Sequence, residues 1–468
     1  MSNSNERGLQ QQFGRYEQPS RENCYDVAPS AGCPEEWVPI NLGRVCTKIG
    51  SGATPRGGKD VYLPNGPCAL IRSQNVLNER FCHDGLAYIG EQHALELSGV
   101  EVLDRDVLLN ITGDSVARAC QVDSSILPAR VNQHVAIIRP DPKKLDPGFL
   151  RYFLVCRETQ AKLLSWAGAG GTRNALTKAM IEAFDVHAPD DVLEQRAIAS
   201  FLRTFDDKIE MNRQMNETLE AMTRVLFKSW FVHFDPVRAK IEGRDVGLPQ
   251  GVADLFPSRL VDSEMGKIPE GWTATPLDEI ARFQNGLALQ KFRPVQDEAR
   301  LPVVKIAQMR TGEANSGEWA SANIKSNCVI ENGDILFSWS GSLLVTIWCG
   351  GRAALNQHLF KVTSKRFPKW FYLHSLLVHL STFRQIAQDK ATTMGHIKRH
   401  HLTDALCAVP PQSVIAEVSD TFESFFERVV VNELASRTCA ALRDTLIPKL
   451  ISGEVRVPDA ERALESVN

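Results

Sequence analysis

Two stretches of this chain gather side chains suited to holding phosphate. Between Thr159 and Ile181 there is no acid, and Lys162, Arg173 and Lys178 surround the glycine-rich GAGGTRN with its Thr172, Arg173 and Asn174. The stretch DKATTMGHIKRHH, from Asp389 to His401, sets Lys390, Lys398, Arg399 and three histidines, His396 among them, against one aspartate, with Thr393 beside them. Cations and hydroxyls on such loops suit a nucleic-acid backbone. Other segments add side chains that can read base edges. SGATPRGGK holds Ser51, Thr54, Arg56 and Lys59, and IRSQN holds Arg72, Gln74 and Asn75. LALQKFR brings Gln290 and Lys291, KIAQMR brings Lys305, Gln308 and Arg310, and Ser115, Arg118 and Ser342 sit in further loops. Arg, Gln and Asn can make bidentate contacts in a major groove. Any one of these clusters also fits a solvated loop; it is their occurrence in pairs that favours a binding surface.

The pairing extends to the whole sequence. Asn-Gln-His occurs at Asn132–His134 and again at Asn356–His358, each time leading into an apolar stretch. Around it, matches recur in the same order: Trp37 with Trp272, the stretch from Asp106 with that from Asp334, Gly113–Ser115 with Ser340–Ser342, Pro147 with Pro368, Gly171–Arg173 with Thr392–Met394, and Pro189 with Pro410. The offset shrinks gradually, as insertions in variable loops would make it. Two repeats of this size are too few and too long for a solenoid, so the chain reads as a tandem duplication of a domain plus its connector. The Asn-Gln-His sites then have two readings: turn formers whose asparagine bonds its own backbone, or nucleic-acid contacts.

Positioning these loops falls to mixed α/β domains of short strands such as CALIRSQNV, DVLLNI and HVAIIRP, followed by a helix at LDPGFLRYFLVCRETQAKLLS. Each repeat ends in a long helical segment. In the first, Ile198, Leu202, Phe205, Ile209, Asn212, Asn216, Leu219, Thr223, Leu226 and Trp230 alternate in steps of four and three. The second gives Val418, Phe422, Phe425, Val429, Asn432, Ser436, Cys439 and Leu442. These are heptad seams with polar breaks, and neither long helical segment is expected to contain Gly or Pro. About 40 helical residues span roughly 60 Å. Two such stripes stay dry by packing on each other, and an antiparallel coiled coil is expected. The aromatic run SWFVHFDPV, with Phe231, closes the first seam; a Gly- and Pro-punctuated linker follows.

Composition excludes several alternatives. The 468 residues, 43% of them hydrophobic, suffice for several folded domains. No apolar run is long enough for a membrane span, and the polar N-terminus lacks a signal-peptide core, which points to the cytoplasm. The 11 cysteines form no C-x-x-C pair, so no metal site is expected and the thiols read as small buried hydrophobes. A net charge of −3 leaves any nucleic-acid binding to local patches. Phosphate-loop, H-E-x-x-H, G-x-S-x-G, dinucleotide, S-adenosylmethionine and Asn-Pro-Pro motifs are all missing, so catalysis by this chain alone is not expected. Asp190, Asp191 and Glu194 read as a helix start rather than a nuclease cluster.

Residues 194–237, SEMGKIPEGW (263–272), the two Asn-Gln-His sites, ALRDTLIPKLISGEVRV (441–457) and LIRSQNV (70–76) together resemble the specificity subunit of type I restriction-modification systems. The resemblance implies two target-recognition domains, each reading one half of a split, asymmetric site on double-stranded DNA. It implies helices that set the spacing and dock two methyltransferase subunits. S-adenosylmethionine, ATP and Mg would sit on partner subunits, including the restriction translocase. On this basis the chain divides into a polar N-terminal extension (1–34), recognition domains at 35–188 and 269–409, long helices at 189–235 and 410–452, a linker (236–268) and a tail (453–468). The extension departs from the family pattern. The competing expectation is a coiled-coil scaffold with two protein-binding domains.

Overall fold

Val107–Asn110 is apolar along almost its whole length and buried on both faces, which places it inside a sheet rather than at an edge. A computed structural model, which describes residues 37–465 except 79, 169–173, 315–316 and 390–394, puts it third in an antiparallel sheet ordered Cys46–Ser51, Val135–Pro140, Val107–Asn110, Ala119–Gln121. A second sheet runs Ala87–Ile89, Cys68–Ile71, Ala129–Val131, Glu101–Val102, with its two inner strands parallel. Trp37–Asn41 pairs with Asp185–Pro189 to join the ends of the domain.

The same order recurs further along. Arg282–Asn285, Leu359–Thr363, Asp334–Ser338 and Val345–Trp348 form one sheet; Trp319–Ser321, Arg300–Val304, Ala353–Leu355 and Val329–Ile330 form the other, again parallel at its centre. Thr273–Pro276 with Leu406–Val409 is the counterpart of the terminal pair. Duplication is therefore visible in topology and register, not only in sequence.

The helix expected after the strands is one element in the second repeat, Lys369–Asp389, but two in the first. Pro147–Val155 starts on Asp146, whose carboxylate accepts from Gly148 N (2.8 Å) and Phe149 N (3.1 Å) and so satisfies amides no helical carbonyl reaches. It breaks where Cys156 turns extended, and Arg157–Gly168 follows.

Both long helices are continuous over 40 residues, Val192–Phe231 and Gln412–Ile451. Asp191 caps the first, accepting from Leu193 N at 2.8 Å. The second runs on past its seam through Pro448, against the expectation of a proline-free helix. Pro448 lies in the last turn, where losing one N–H and its hydrogen bond costs least.

The described chain packs as two units: residues up to Asp206 with those from Ala441 on, and Asp207–Ala440. In the second unit the helices run antiparallel: Asn212 Nδ2 donates to Ser436 Oγ (3.1 Å) and Asn432 O (3.2 Å), Asn216 Nδ2 to Val429 O (3.3 Å), Asn432 Nδ2 to Asn216 Oδ1 (2.9 Å), and Trp230 meets Phe422 edge-on at 5.6 Å. These asparagines satisfy each other and pin the register. Leu219, Leu226 and Phe425 are half-buried beside them, Val429 and Phe231 are buried, and Phe422 stacks on Trp370 at 4.4 Å. In the first unit the direction is the same: Glu194 pairs with Arg456 and Asp206 with Arg443, while Ile198 and Leu202 share a core with Ile447, Leu450 and Ile451. Phe205 is buried too; Ile209, in the second unit, and Leu442 are half-buried.

Two segments carry elements that the sequence reading did not assign. The linker forms short helices at Asp235–Ile241 and Gln250–Asp254 and a hairpin at Leu260–Pro269, with Val237 and Phe256 buried in the core of the second unit. The tail contains a helix, Val457–Glu465, whose Ala460 enters the core of the first unit. The described cysteines are free and mostly buried; burial pushes the thiols of Cys120 and Cys407 up to about 12. The N-terminal extension lies outside the described residues, apart from the segment's sequence itself.

Candidate nucleic-acid interface

In both repeats Asn-Gln-His builds the same turn. Asn132 Oδ1 accepts from His134 N at 3.0 Å, and Asn356 Oδ1 from His358 N at 3.2 Å, the asparagine-closed turn that lets a chain reverse into a strand. Each asparagine N–H donates across to the parallel strand, Asn132 to Ile71 O and Asn356 to Val304 O. Each histidine reaches the next loop, with His134 Nδ1 2.6 Å from Thr112 Oγ1 and His358 Nδ1 3.3 Å from Ser340 Oγ. Each glutamine amide lies beside the other ring nitrogen, at 3.0 Å and 3.3 Å. The turn-forming reading thus accounts for all three side chains.

A glycine seats this turn. A Cβ on Gly52 would lie 1.8 Å from Val131 O, and one on Gly286 2.2 Å from Leu355 O. Both obstacles are backbone, which cannot swing aside. Gly52→Ala and Gly286→Ala are each expected to destabilise their unit by about 1–3 kcal/mol or more, read as a lower unfolding midpoint. Gly50→Ala, with open space at its Cβ position, is the control; equal midpoints for Gly50→Ala and Gly52→Ala would show that the turn yields.

Three loops meet at each turn. In the first unit, Thr54 donates to Gln133 Oε1, Thr112 bridges to Ala175, and Gly113 N reaches Asn174 O at 3.4 Å. Exposed Ser51, Thr54 and Asn174 thus come together around Gln133 and His134, and half-buried Ser115 and exposed Arg118 follow in the same loop as Gly113. Arg56 and Lys59 are exposed on the adjoining turn. In the second unit, Ser340 bridges to His396, Gly341 N donates to Gly395 O at 2.9 Å, and Arg310 Nη2 donates to Ser342 Oγ at 3.0 Å. Lys398 is exposed next to them, and Arg399 Nη2 donates to Asn285 Oδ1 at 2.7 Å. Gln290 and Lys291 are exposed on the turn Leu289–Lys291.

Several expected contacts are spent inside the protein. Asn75 is fully buried: its Oδ1 accepts from Arg72 N (3.0 Å) and its Nδ2 donates to Cys82 O (2.9 Å), so it cannot reach a base. Arg72 and Gln74 both donate to Gly85 O, and Arg72 also lies over the Tyr62 ring. Gln308 repeats the role of Asn75, accepting from Lys305 N at 3.3 Å, while Lys305 Nζ pairs with Glu318. Around the glycine-rich loop, Lys162 lies over the Trp166 and Phe184 rings, where burial lowers its pKa, and Lys178 pairs with Glu182 at 3.4 Å. Thr172, Arg173, Lys390 and Thr393 lie outside the described residues. Trp339 was not singled out by sequence, although its ring stands at the centre of the second site, 5.8 Å from His358 and 6.3 Å from His396; the only signal was its place beside the matched Ser340–Ser342.

Among the described residues no group of three or more His, Cys, Asp or Glu could hold a metal ion, and no helix is long and apolar enough to cross a membrane.

The chain is 22% identical over 467 residues to the HindI type I restriction enzyme specificity subunit of Haemophilus influenzae, covering 90% of this chain and 100% of that one. It is 26% identical over 317 residues to the MjaIX specificity subunit of Methanocaldococcus jannaschii, covering 66% and 69%. Its fold is similar to the crystal structure of the type-I restriction-modification system S subunit from M. genitalium, with a TM-score of 0.53 at 12% identity over 91% of this chain and 98% of that one. Residues 34–221 and 269–429, most of the chain, match the model of the type I restriction modification DNA specificity domain, and the chain belongs to that family.

Proposed function

We propose that this chain is the DNA sequence-specificity subunit of a type I restriction-modification complex, each unit reading one half of a bipartite, asymmetric site. The observation that carries this is one scaffold used twice with different loops. Strand order and the Asn-Gln-His turn are the same, while the side chains presented around that turn differ: Thr54, Thr112 and Asn174 in one unit, Arg310, Ser342, His396 and Lys398 in the other. Identical readers would favour a palindrome, whereas diverged ones suit two unlike half-sites.

The long helices set the gap between half-sites and dock methyltransferase subunits, two of them on the duplicated pattern. Support for docking comes from Met211, Met215, Met222 and Val225, exposed at heptad spacing on the first helix. S-adenosylmethionine, ATP and Mg belong to the partner subunits, translocase included, and the chain itself performs no chemistry. The assembly works in the cytoplasm.

Lengthening both helices by one heptad, about 10 Å, is expected to widen the unspecified gap by roughly 3 base pairs at 3.4 Å each. Mapping methylated sites genome-wide, before and after the insertion, gives both the target and the gap. An unchanged gap would reject the helices as the spacing element.

A further inference from the structure

The loops of the second unit line a half-open cavity of about 310 Å³, near the lower end of ligand pockets at about 300–1,000 Å³. Its wall includes Trp339 and Phe360, with ring centroids 6.0 Å apart, and His396, standing at 81° to the indole. The indole is fixed: Trp339 Nε1 donates to Gln357 O at 3.3 Å, and Trp339 O accepts from Ile397 N at 3.0 Å. Asn285, Lys398 and Arg399 complete the wall, the last with its guanidinium 5.6 Å from the Phe360 ring centroid. Among the described residues neither Lys398 nor Arg399 has a carboxylate partner. Aromatic faces with a cationic rim suit a flat, π-bearing group next to a negative charge. That is the chemistry of one nucleotide, base in the cavity and phosphate at the rim.

The first unit shows that the cavity is not a by-product of the scaffold. Ile111 O accepts from Leu176 N as Trp339 O does from Ile397 N, and Ser51 faces Ala136 across the sheet as Asn285 faces Phe360. At the same backbone positions, Ile111 and Ala136 take the places of the two aromatic rings.

We propose that the second unit takes up one unstacked nucleobase of its half-site in this cavity, stacked on Trp339 with its phosphate at Lys398. The proposal rests on the DNA-reading function above and adds to it a way of reading that the first unit lacks. A base held out of the duplex is recognised by its faces and size, so one position of the second half-site would be sensed without groove contacts.

The test uses the assembled complex with its methyltransferase partners on a duplex bearing the mapped methylated site, with 2-aminopurine placed at each position of the second half-site in turn. One position is expected to change fluorescence on binding, and Trp339→Ile, which installs the first unit's residue, to abolish that change. Affinity for the site should fall about 5- to 150-fold, the equivalent of one lost base–aromatic stack. Lys398→Ala, an exposed position that leaves the fold alone, should weaken the same signal. A base turned out for the partner's chemistry would respond equally in wild type and in Trp339→Ile, so a set of responding positions that this substitution leaves wholly unchanged overturns the proposal. Intact preference for the mapped site with no responding position removes the cavity's role alone. Loss of any preference for the mapped duplex over a scrambled one removes the DNA-reading function, and the cavity's role with it.

Discussion

Asp206→Ala is expected to destabilise the first unit by about 3–5 kcal/mol, the largest loss from any single side chain considered. Asp206 Oδ2 accepts from Arg151 Nη1 and from the Tyr152 hydroxyl, both at 2.7 Å, and Oδ1 accepts from Arg443 Nη1 at 2.6 Å. Both arginine side chains are only 8% exposed. Removing the carboxylate leaves Arg443 with Asp444 Oδ1 (2.7 Å) and Arg151 with Asn78 O (3.1 Å), but takes away the one acceptor that joins the two buried guanidinium groups, and neither can give up its proton. Burial already holds the Tyr152 phenol above its ordinary range, so Tyr152 supplies no compensating charge. Urea denaturation measures the effect, with Asp207→Ala, an exposed neighbour, expected to stay within about 0.5 kcal/mol of wild type. A loss below about 1 kcal/mol for Asp206→Ala would mean that water reaches the arginines and that the network does not hold the helices in this unit.

The second large effect is on DNA affinity. The chain's net charge is −3, so attraction to a duplex has to come from local cations, and exposed Arg56, Lys59, Arg118, Lys291 and Lys398 lie on the loops described. If the two units together make 6–10 phosphate contacts, binding of the complex to its site should weaken by about 10³- to 10⁵-fold between 50 and 200 mM salt. Lys398→Ala should lower the slope of log affinity against log salt by about one. Affinity that hardly moves with salt would favour the scaffold reading, in which the units hold protein.

Long-range organisation was legible in the sequence because it is written in periodicity. Heptad spacing located the seam from Ile198 to Trp230, and the matched asparagines at 212 and 432 do meet, since a polar residue on an apolar stripe has few partners to choose from. Collinear matches likewise located the duplicated scaffold. Side-chain assignments at the interface were less legible. Whether Asn75 faces solvent or the turn at Cys82 depends on which loop folds over it, and nothing local distinguishes the two. Arg72 and Gln308 show the same difficulty: their residue types suit DNA, but the Gly85 carbonyl takes the Arg72 guanidinium and the Lys305 amide takes the Gln308 side-chain oxygen. Trp339 was missed for the opposite reason, because an aromatic beside a strand reads as core unless the residues that leave it half open are known.

One feature of the first unit bears on how the protein is made. Its core includes Ile447, Leu450, Ile451 and Ala460, which a ribosome polymerises after every residue of the second unit. Domains usually fold in the order in which they emerge, but here the N-terminal lobe has to wait, with part of its apolar surface wet, until the final helix arrives. Ribosomal stalling or premature termination near codon 440 would therefore yield a chain whose later-made unit is finished and whose earlier-made one is not.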